Sequence, residues 1–142
     1  MTCATYAGYS TELWRFNTRT HVWESVVANG AVPRGRYSHV MTSVTTSVGV
    51  DLWVHGGMTN SEVTIGDLWR FDTSTRGWYL VHDTPIVSFG SATISNRPVP
   101  TPRYRHVMTS VGQDLWLHGG EEYGQSGEGD SYSSPAALLL LL

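Results

Sequence analysis

The stretch DLWVHGG at residues 51–57, followed by GDLWRFDTSTRGW at 66–78, decides how this chain is read. DLWVH is a short apolar run bounded by turn residues, which predicts a strand buried on both faces. Gly56-Gly57 ends it, because glycine accepts positive φ and lets a neighbouring backbone approach closely. Asp67 to Asp72 reads as the next strand, with Leu68 and Arg70 on one face and Trp69 and Phe71 on the other. Thr73 to Gly77 is a hairpin turn, in which the Asp72 side chain caps and Gly77 relaxes the backbone. Trp78 to Val81 opens a fourth strand. The first strand of the unit, Ser38 to Val44, precedes DLWVH and is rich in Val, Thr and Met.

Each of these words has a partial copy. Leu13-Trp14-Arg15-Phe16 recurs as Leu68-Trp69-Arg70-Phe71, and Trp23 recurs at the same offset as Trp78. Arg36-Tyr37-Ser38-His39-Val40-Met41 recurs as Arg103-Tyr104-Arg105-His106-Val107-Met108, and DLWVHGG recurs as DLWLHGG at 114–120. The offsets differ only through the connections, which is where insertions are tolerated while strand words stay intact. A period of about 50 residues built from strand-like words signals a propeller or a repeat array. Four antiparallel strands joined by short hairpins cannot cover both of their apolar faces alone, so such a unit needs neighbours of its own kind.

The order Arg-x-x-His, apolar strand, Gly-Gly, Asp-Leu-Trp-x-Phe-Asp and a following Trp resembles the kelch repeat. The matching positions are Arg36, His39, Gly56, Gly57, Asp67, Leu68, Phe71, Asp72 and Trp78. A second, split set comprises Leu13, Phe16, Asn17 and Trp23 upstream, with Arg103, His106, Gly119 and Gly120 downstream. Ser38 and Arg105 stand where the family often has Gly, and Asn17 takes the place of Asp72. The resemblance covers about residues 5 to 120 and implies an all-β fold of kelch-type β-propeller blades. Residues 5–27 are then the last strands of a partial blade, with Ala7-Gly8 as a degenerate glycine pair. Residues 36–81 are one complete four-stranded blade, and 103–120 are the first strands of a third.

Residues 82–102 form a long inter-blade connection whose prolines limit regular structure, and its apolar centre, Ile86, Val87 and Phe89, is the candidate partner-contact loop. The competing reading is a tolerated surface insertion. Residues 121–142 read as a flexible Gly, Ser and acid-rich segment with a poly-Leu tail. Gly129-Asp130 marks where another strand should open. The terminal apolar run is far short of the roughly 20 residues that span a bilayer. Propellers close with about 4 to 8 blades. One whole blade between two halves is therefore expected to be a fragment of a larger propeller, or a protomer that completes one by association.

Six Trp and seven Tyr suit a folded, aromatic-rich β protein, and a net charge of −3 supplies no basic field for nucleic acid. The single Cys3 excludes an internal disulfide and a cysteine zinc cluster. There is no N-x-Ser/Thr sequon, and the N-terminus has no basic stretch before an apolar core, so the default compartment is the cytoplasm.

His39 and His106 recur at equivalent positions, as do His55 and His118, and recurrence through a repeat points to structural duty over a single metal or acid–base site. His21 and His82 are expected beside the outer strand, facing solvent. Arg36 and Arg103 can pair with acids such as Asp67, or reach into a channel mouth to hold an anion. Tyr37, Tyr104 and Tyr123 suit a contact surface. Neither a Ser-His-Asp arrangement, a phosphate-binding glycine loop nor a calcium loop stands out. The family resemblance implies a non-catalytic protein-interaction module, adaptor or scaffold, with no cofactor. It also admits a piece of a galactose-oxidase-like oxidase or a sugar-acid epimerase. The copper oxidase would need a Cys-crosslinked Tyr, for which Cys3 is a poor candidate. A truncated product without independent function is the third reading.

Overall fold

The computed structural model describes residues 8–60, 63–83 and 99–122. Their regular structure is all strand. β1 (Leu13–Asn17) and β2 (Val22–Val26) form an antiparallel pair. β3 (Val40–Thr46), β4 (Gly49–His55), β5 (Leu68–Asp72) and β6 (Gly77–His82) form a four-stranded antiparallel meander in that order. β7 (Val107–Val111) and β8 (Asp114–His118) form a second pair. Ile86, Val87, Phe89, Cys3, Tyr123, Asp130 and the leucine run lie outside the described residues.

Register shows which part of a blade each pair represents. Phe16 is opposite Trp23 in β1–β2, as Phe71 is opposite Trp78 in β5–β6. Val107 is opposite His118 in β7–β8, as Val40 is opposite His55 in β3–β4. β1–β2 thus has the form of third and fourth strands, and β7–β8 that of first and second strands. The fold is the one expected, a complete four-stranded blade between two half-blades.

Several local expectations need correction. The first strand of the central blade begins at Val40, because Ser38 takes φ 54° and breaks the extended run. Arg105 does the same at φ 55°, so both residues adopt the left-handed conformation that glycine would take there at no steric cost. In the β5–β6 turn the left-handed residue is Arg76 (φ 57°), not Gly77, and His21 (φ 57°) holds that place in the β1–β2 turn. Gly77 instead leaves room for the Tyr79 ring, 3.1 Å from where a Cβ would stand. DLWLH is not buried on both faces: β8 has a neighbour on one side only among the described residues, and Trp116 is 46% exposed.

The small core lies in the central blade, where Val44, Val54, Met58 and Phe71 are buried. Burial follows neighbours, not sequence. Phe16 and Trp23 have the ring geometry of Phe71 and Trp78, with centroids 5.0 Å apart in both pairs, yet Phe16 is 40% exposed and Phe71 only 3%. The difference is the flanking strand: Leu52 of β4 lies beside Phe71, and no described strand lies inside β1.

Adjacent blades are tied together by backbone. Gly57 N–H donates to the Arg103 carbonyl (2.9 Å) and Arg105 N–H to the Ser38 carbonyl (3.0 Å). Ser110 Oγ donates to the Ser43 carbonyl (2.6 Å), which places β7 alongside β3. After β2, Asn29 reaches the outer turn of the central blade through its N–H to the Arg76 carbonyl (2.8 Å) and its Nδ2 to the Thr75 carbonyl (2.9 Å).

The meander also sorts the connections. Val40 is opposite His55, and Leu68 is opposite both His55 and His82, so these four strand ends share one edge of the blade. The β4–β5 loop and the connection after β6 therefore start from that edge, and the connection from β2 ends there. The β3–β4 and β5–β6 hairpins turn at the other.

Candidate functional site

The signature residues converge on that loop edge. Arg36 is buried and donates to both oxygens of Asp67, Nη1 to Oδ1 at 2.5 Å and Nη2 to Oδ2 at 2.9 Å. Its Nη1 also reaches the Gly56 carbonyl (3.0 Å) and its Nε the Arg34 carbonyl (3.0 Å). One guanidinium thus fixes the start of β3, the end of β4 and the start of β5, as a planar five-donor fork can and an ammonium cannot. Trp69 Nε1 donates to the same carboxylate at 2.7 Å. Arg103 holds the Gly119 carbonyl in the same way (2.8 Å), but its carboxylate partner is the partly exposed Glu122, at 3.3 Å.

The glycine pairs occupy left-handed backbone, with φ 67° and 99° at Gly56 and Gly57 and 72° and 91° at Gly119 and Gly120. A Cβ on Gly57 would stand 2.7 Å from the Tyr37 carbonyl, and one on Gly120 2.8 Å from that of Tyr104. These close approaches come from a two-way backbone bridge that sequence reading did not anticipate. Tyr37 exchanges both hydrogen bonds with Met58, and Tyr104 does so with Glu121. Tyr37 and Tyr104 are accordingly half-buried, not free contact aromatics. Tyr37 packs against Tyr9 with centroids 4.8 Å apart and the rings tilted by 45°, and the Tyr104 hydroxyl donates to Glu121 at 2.7 Å. That bond raises the Tyr104 pKa and lowers that of Glu121.

The histidines divide by neighbour. His55 of the central blade and His106 of the third meet edge to face, with Nδ1 of His55 3.0 Å from Nε2 of His106. Both are buried, at 5% and 4% exposure. Burial, reinforced for His55 by the facing His106 and for His106 by the Arg103 charge, lowers both pKa values to about 4. The pair is therefore neutral at pH 7, one ring donating and the other accepting. His39 and His118, their counterparts in the repeat, are exposed. His82 is half-buried and His21 exposed, where solvent was expected for both. Among the described residues, no group of three or more His, Cys, Asp or Glu side chains is placed to hold a metal ion.

The turn caps match between blades. Asp72 Oδ1 accepts from the N–H groups of Ser74 (2.9 Å) and Thr75 (3.1 Å), and Asn17 Oδ1 accepts from those of Arg19 (2.9 Å) and Thr20 (3.1 Å). Asparagine therefore performs the aspartate's local task without its charge. The Ser74 hydroxyl and the turn N–H groups hold the Asp72 carboxyl down to about 2.

A cleft of about 250 Å³ opens on the loop edge between the first and central blades. Its lining includes Tyr9, Arg34, Gly35, Thr59, Asn60 and Ile65. The backbones pack closely here: a Cβ on Gly35 would overlap the Tyr9 carbonyl. None of these residues was singled out from the sequence. The only available signal was the loop position of Asn60 and Arg34 beside signature residues.

No helix among the described residues is long and apolar enough to cross a membrane. The chain is similar to N-(sulfonatooxy)prop-2-enimidothioate sulfolyase of Thlaspi arvense, at 28% identity over 84% of this chain and 30% of that protein. It is similar to the Rab9 effector protein with kelch motifs of Danio rerio, at 33% identity over 69% of this chain and 24% of that protein. It is also similar to host cell factor 2 of Homo sapiens, at 29% identity over 69% of this chain and 11% of that protein. The chain thus spans less than a third of the length of each. The model of the KLHDC2/KLHL20/DRC7 Kelch-repeats domain matches residues 3–134. By this match, and by its Arg–Asp fork, glycine pairs and Phe–Trp strands, the chain belongs to the kelch-repeat family.

Proposed function

We propose that this chain is a non-catalytic kelch interaction module, adaptor or scaffold, that binds a protein partner through its loop edge. The observation that carries this is the convergence at one edge of the β4–β5 loop, the start of the connection after β6, the end of the connection from β2 and the Tyr9–Arg34–Asn60 cleft. Loops on a rigid scaffold are where binding residues concentrate, and an aromatic, an arginine and an amide around a cleft suit a peptide segment. The connection holding Ile86, Val87 and Phe89 leaves the blade at His82, on the same edge. The Rab9 effector name, a protein-binding role for that relative, supports the reading.

The test compares affinity capture by the chain, by Tyr9→Ala/Arg34→Ala/Asn60→Ala, and by Val48→Arg in the opposite-edge hairpin. Loss of partners in the loop-edge variant alone is expected. Equal loss in both variants, or none in either, overturns the proposal. The sulfolyase relative supports a second reading, an enzyme piece, for which release of sulfate from an N-sulfonatooxy imidothioate is the direct assay.

A further inference from the structure

The connection between β2 and β3 is strapped to the outer turn of the central blade by Asn29. Its N–H donates to the Arg76 carbonyl at 2.8 Å and its Nδ2 to the Thr75 carbonyl at 2.9 Å, so one residue holds two successive carbonyls and bridges to Gly77 in parallel. The next residue is Gly30, in left-handed backbone at φ 77°, with nothing within 4 Å of where a Cβ would stand. Both residues are exposed, and among the described residues no acceptor takes the Gly30 N–H. We propose that Asn29–Gly30 is a site of spontaneous deamidation in the folded chain, with water as the co-reactant, and that its products release the strap between this connection and the central blade.

The reaction begins when the backbone nitrogen of the following residue reaches the asparagine side-chain carbonyl carbon. A side chain on that following residue obstructs the approach, and Gly30 has none. The Gly30 nitrogen bonds to Asn29 Cγ and gives its proton to solvent, while the Cγ–Nδ2 bond breaks and ammonia leaves. Water then opens the five-membered imide. Cleavage between Cγ and the nitrogen leaves aspartate. Cleavage between the main-chain carbonyl and the nitrogen leaves isoaspartate, whose backbone runs through Cβ and Cγ. No oxidation or reduction is involved.

Either product removes the donor on which the strap depends. A carboxylate only accepts, so it faces the Thr75 carbonyl with no hydrogen to share where Nδ2 stood 2.9 Å away. Isoaspartate also adds one carbon to the backbone ahead of Gly30, which shifts the connection that goes on to Arg34 and Arg36. Loss of ammonia makes the release one-way. The strap's chemistry is independent of what the loop edge binds.

Asn17 supplies the contrast within the same chain. Its successor is the β-branched Thr18, and its Oδ1 is held by the N–H groups of Arg19 and Thr20. It is expected to keep its amide.

The test incubates the full 142-residue chain in its folded state, then follows two tryptic peptides by mass spectrometry, residues 16–19 with Asn17 and residues 20–34 with Asn29. The Asn29 peptide alone is expected to gain the mass that separates a hydroxyl from an amino group, in aspartate and isoaspartate forms resolved by chromatography. Brief trypsin treatment of the folded Asn29→Asp chain reads the release, because proteolysis follows local opening. Nicking after Arg34 is expected to be severalfold faster than in the unsubstituted chain, with nicking after Arg70, inside β5, unchanged. An Asn29 that keeps its amide in the folded chain, or converts no faster than Asn17, overturns the site. Equal nicking after Arg34 in the two chains, or an equal rise after Arg70, overturns the release.

Discussion

Acidification should unfasten the central blade from the third. In the folded chain His55 and His106 are buried against each other and take a proton only at about pH 4. In the unfolded chain each does so near its ordinary 6.5. Between those values the unfolded state binds more protons, so stability is full above pH 6.5 and falls as pH drops toward 4. At 1.36 kcal/mol per pH unit, one histidine of the pair contributes about 3 kcal/mol across that window, which is large beside the roughly 5–15 kcal/mol of a folded domain.

Asp72 and Glu121, whose pKa values are also lowered, lose their contribution at more acidic pH, and a paired comparison with a variant lacking the two histidines isolates their share. The assay is urea unfolding followed by tryptophan fluorescence at half-unit steps of pH. The comparison is His55→Gln/His106→Gln, which keeps a hydrogen-bonded pair without a titrating group. The variant's curve should be flatter by the slope of at least one proton. Parallel curves for the two proteins would refute the reasoning, because the histidines would then not be buried neutral.

Two further perturbations probe the rest of the site. Asp67→Ala leaves the buried Arg36 without its carboxylate and should cost about 3–5 kcal/mol in the same unfolding assay, most of it recovered in Asp67→Ala/Arg36→Met. Gly56→Ala and Gly119→Ala both meet left-handed backbone, at about 1–2 kcal/mol each, but only Gly56→Ala also collides with the Arg103 carbonyl, so its melting temperature should fall further.

The sequence made the strands legible because alternation, turn chemistry and repetition all agree at DLWRFDTSTRGW. Asp72 as a turn cap and the glycine pairs as left-handed strand ends are local facts, and the structure has them where the residues suggested. Arg36 with Asp67 spans the whole β3–β4–β5 unit, yet it too could be anticipated, because a buried guanidinium needs a carboxylate and Asp67 recurs at the loop edge. Three things could not be read. The left-handed turn residue is Arg76, since the αL position is set by the hairpin's length and falls one place before the glycine. Trp116 is exposed although DLWLH is as apolar as DLWVH, because among the described residues β8 has a strand on one side only. His55 meets His106 only because two blades abut, and nothing within either word carries that contact.

Identical words reach opposite fates here: His55 and His106 are buried while His39 and His118 are exposed, and Phe71 is buried while Phe16 is not. Intrinsic strand propensity is shared by all copies, so it cannot account for the difference. What differs is the neighbour, as in any quasi-one-dimensional array where the interface terms decide stability. Each copy repeats the same donors, rings and glycines, and their burial is decided by the strand or blade that lies alongside.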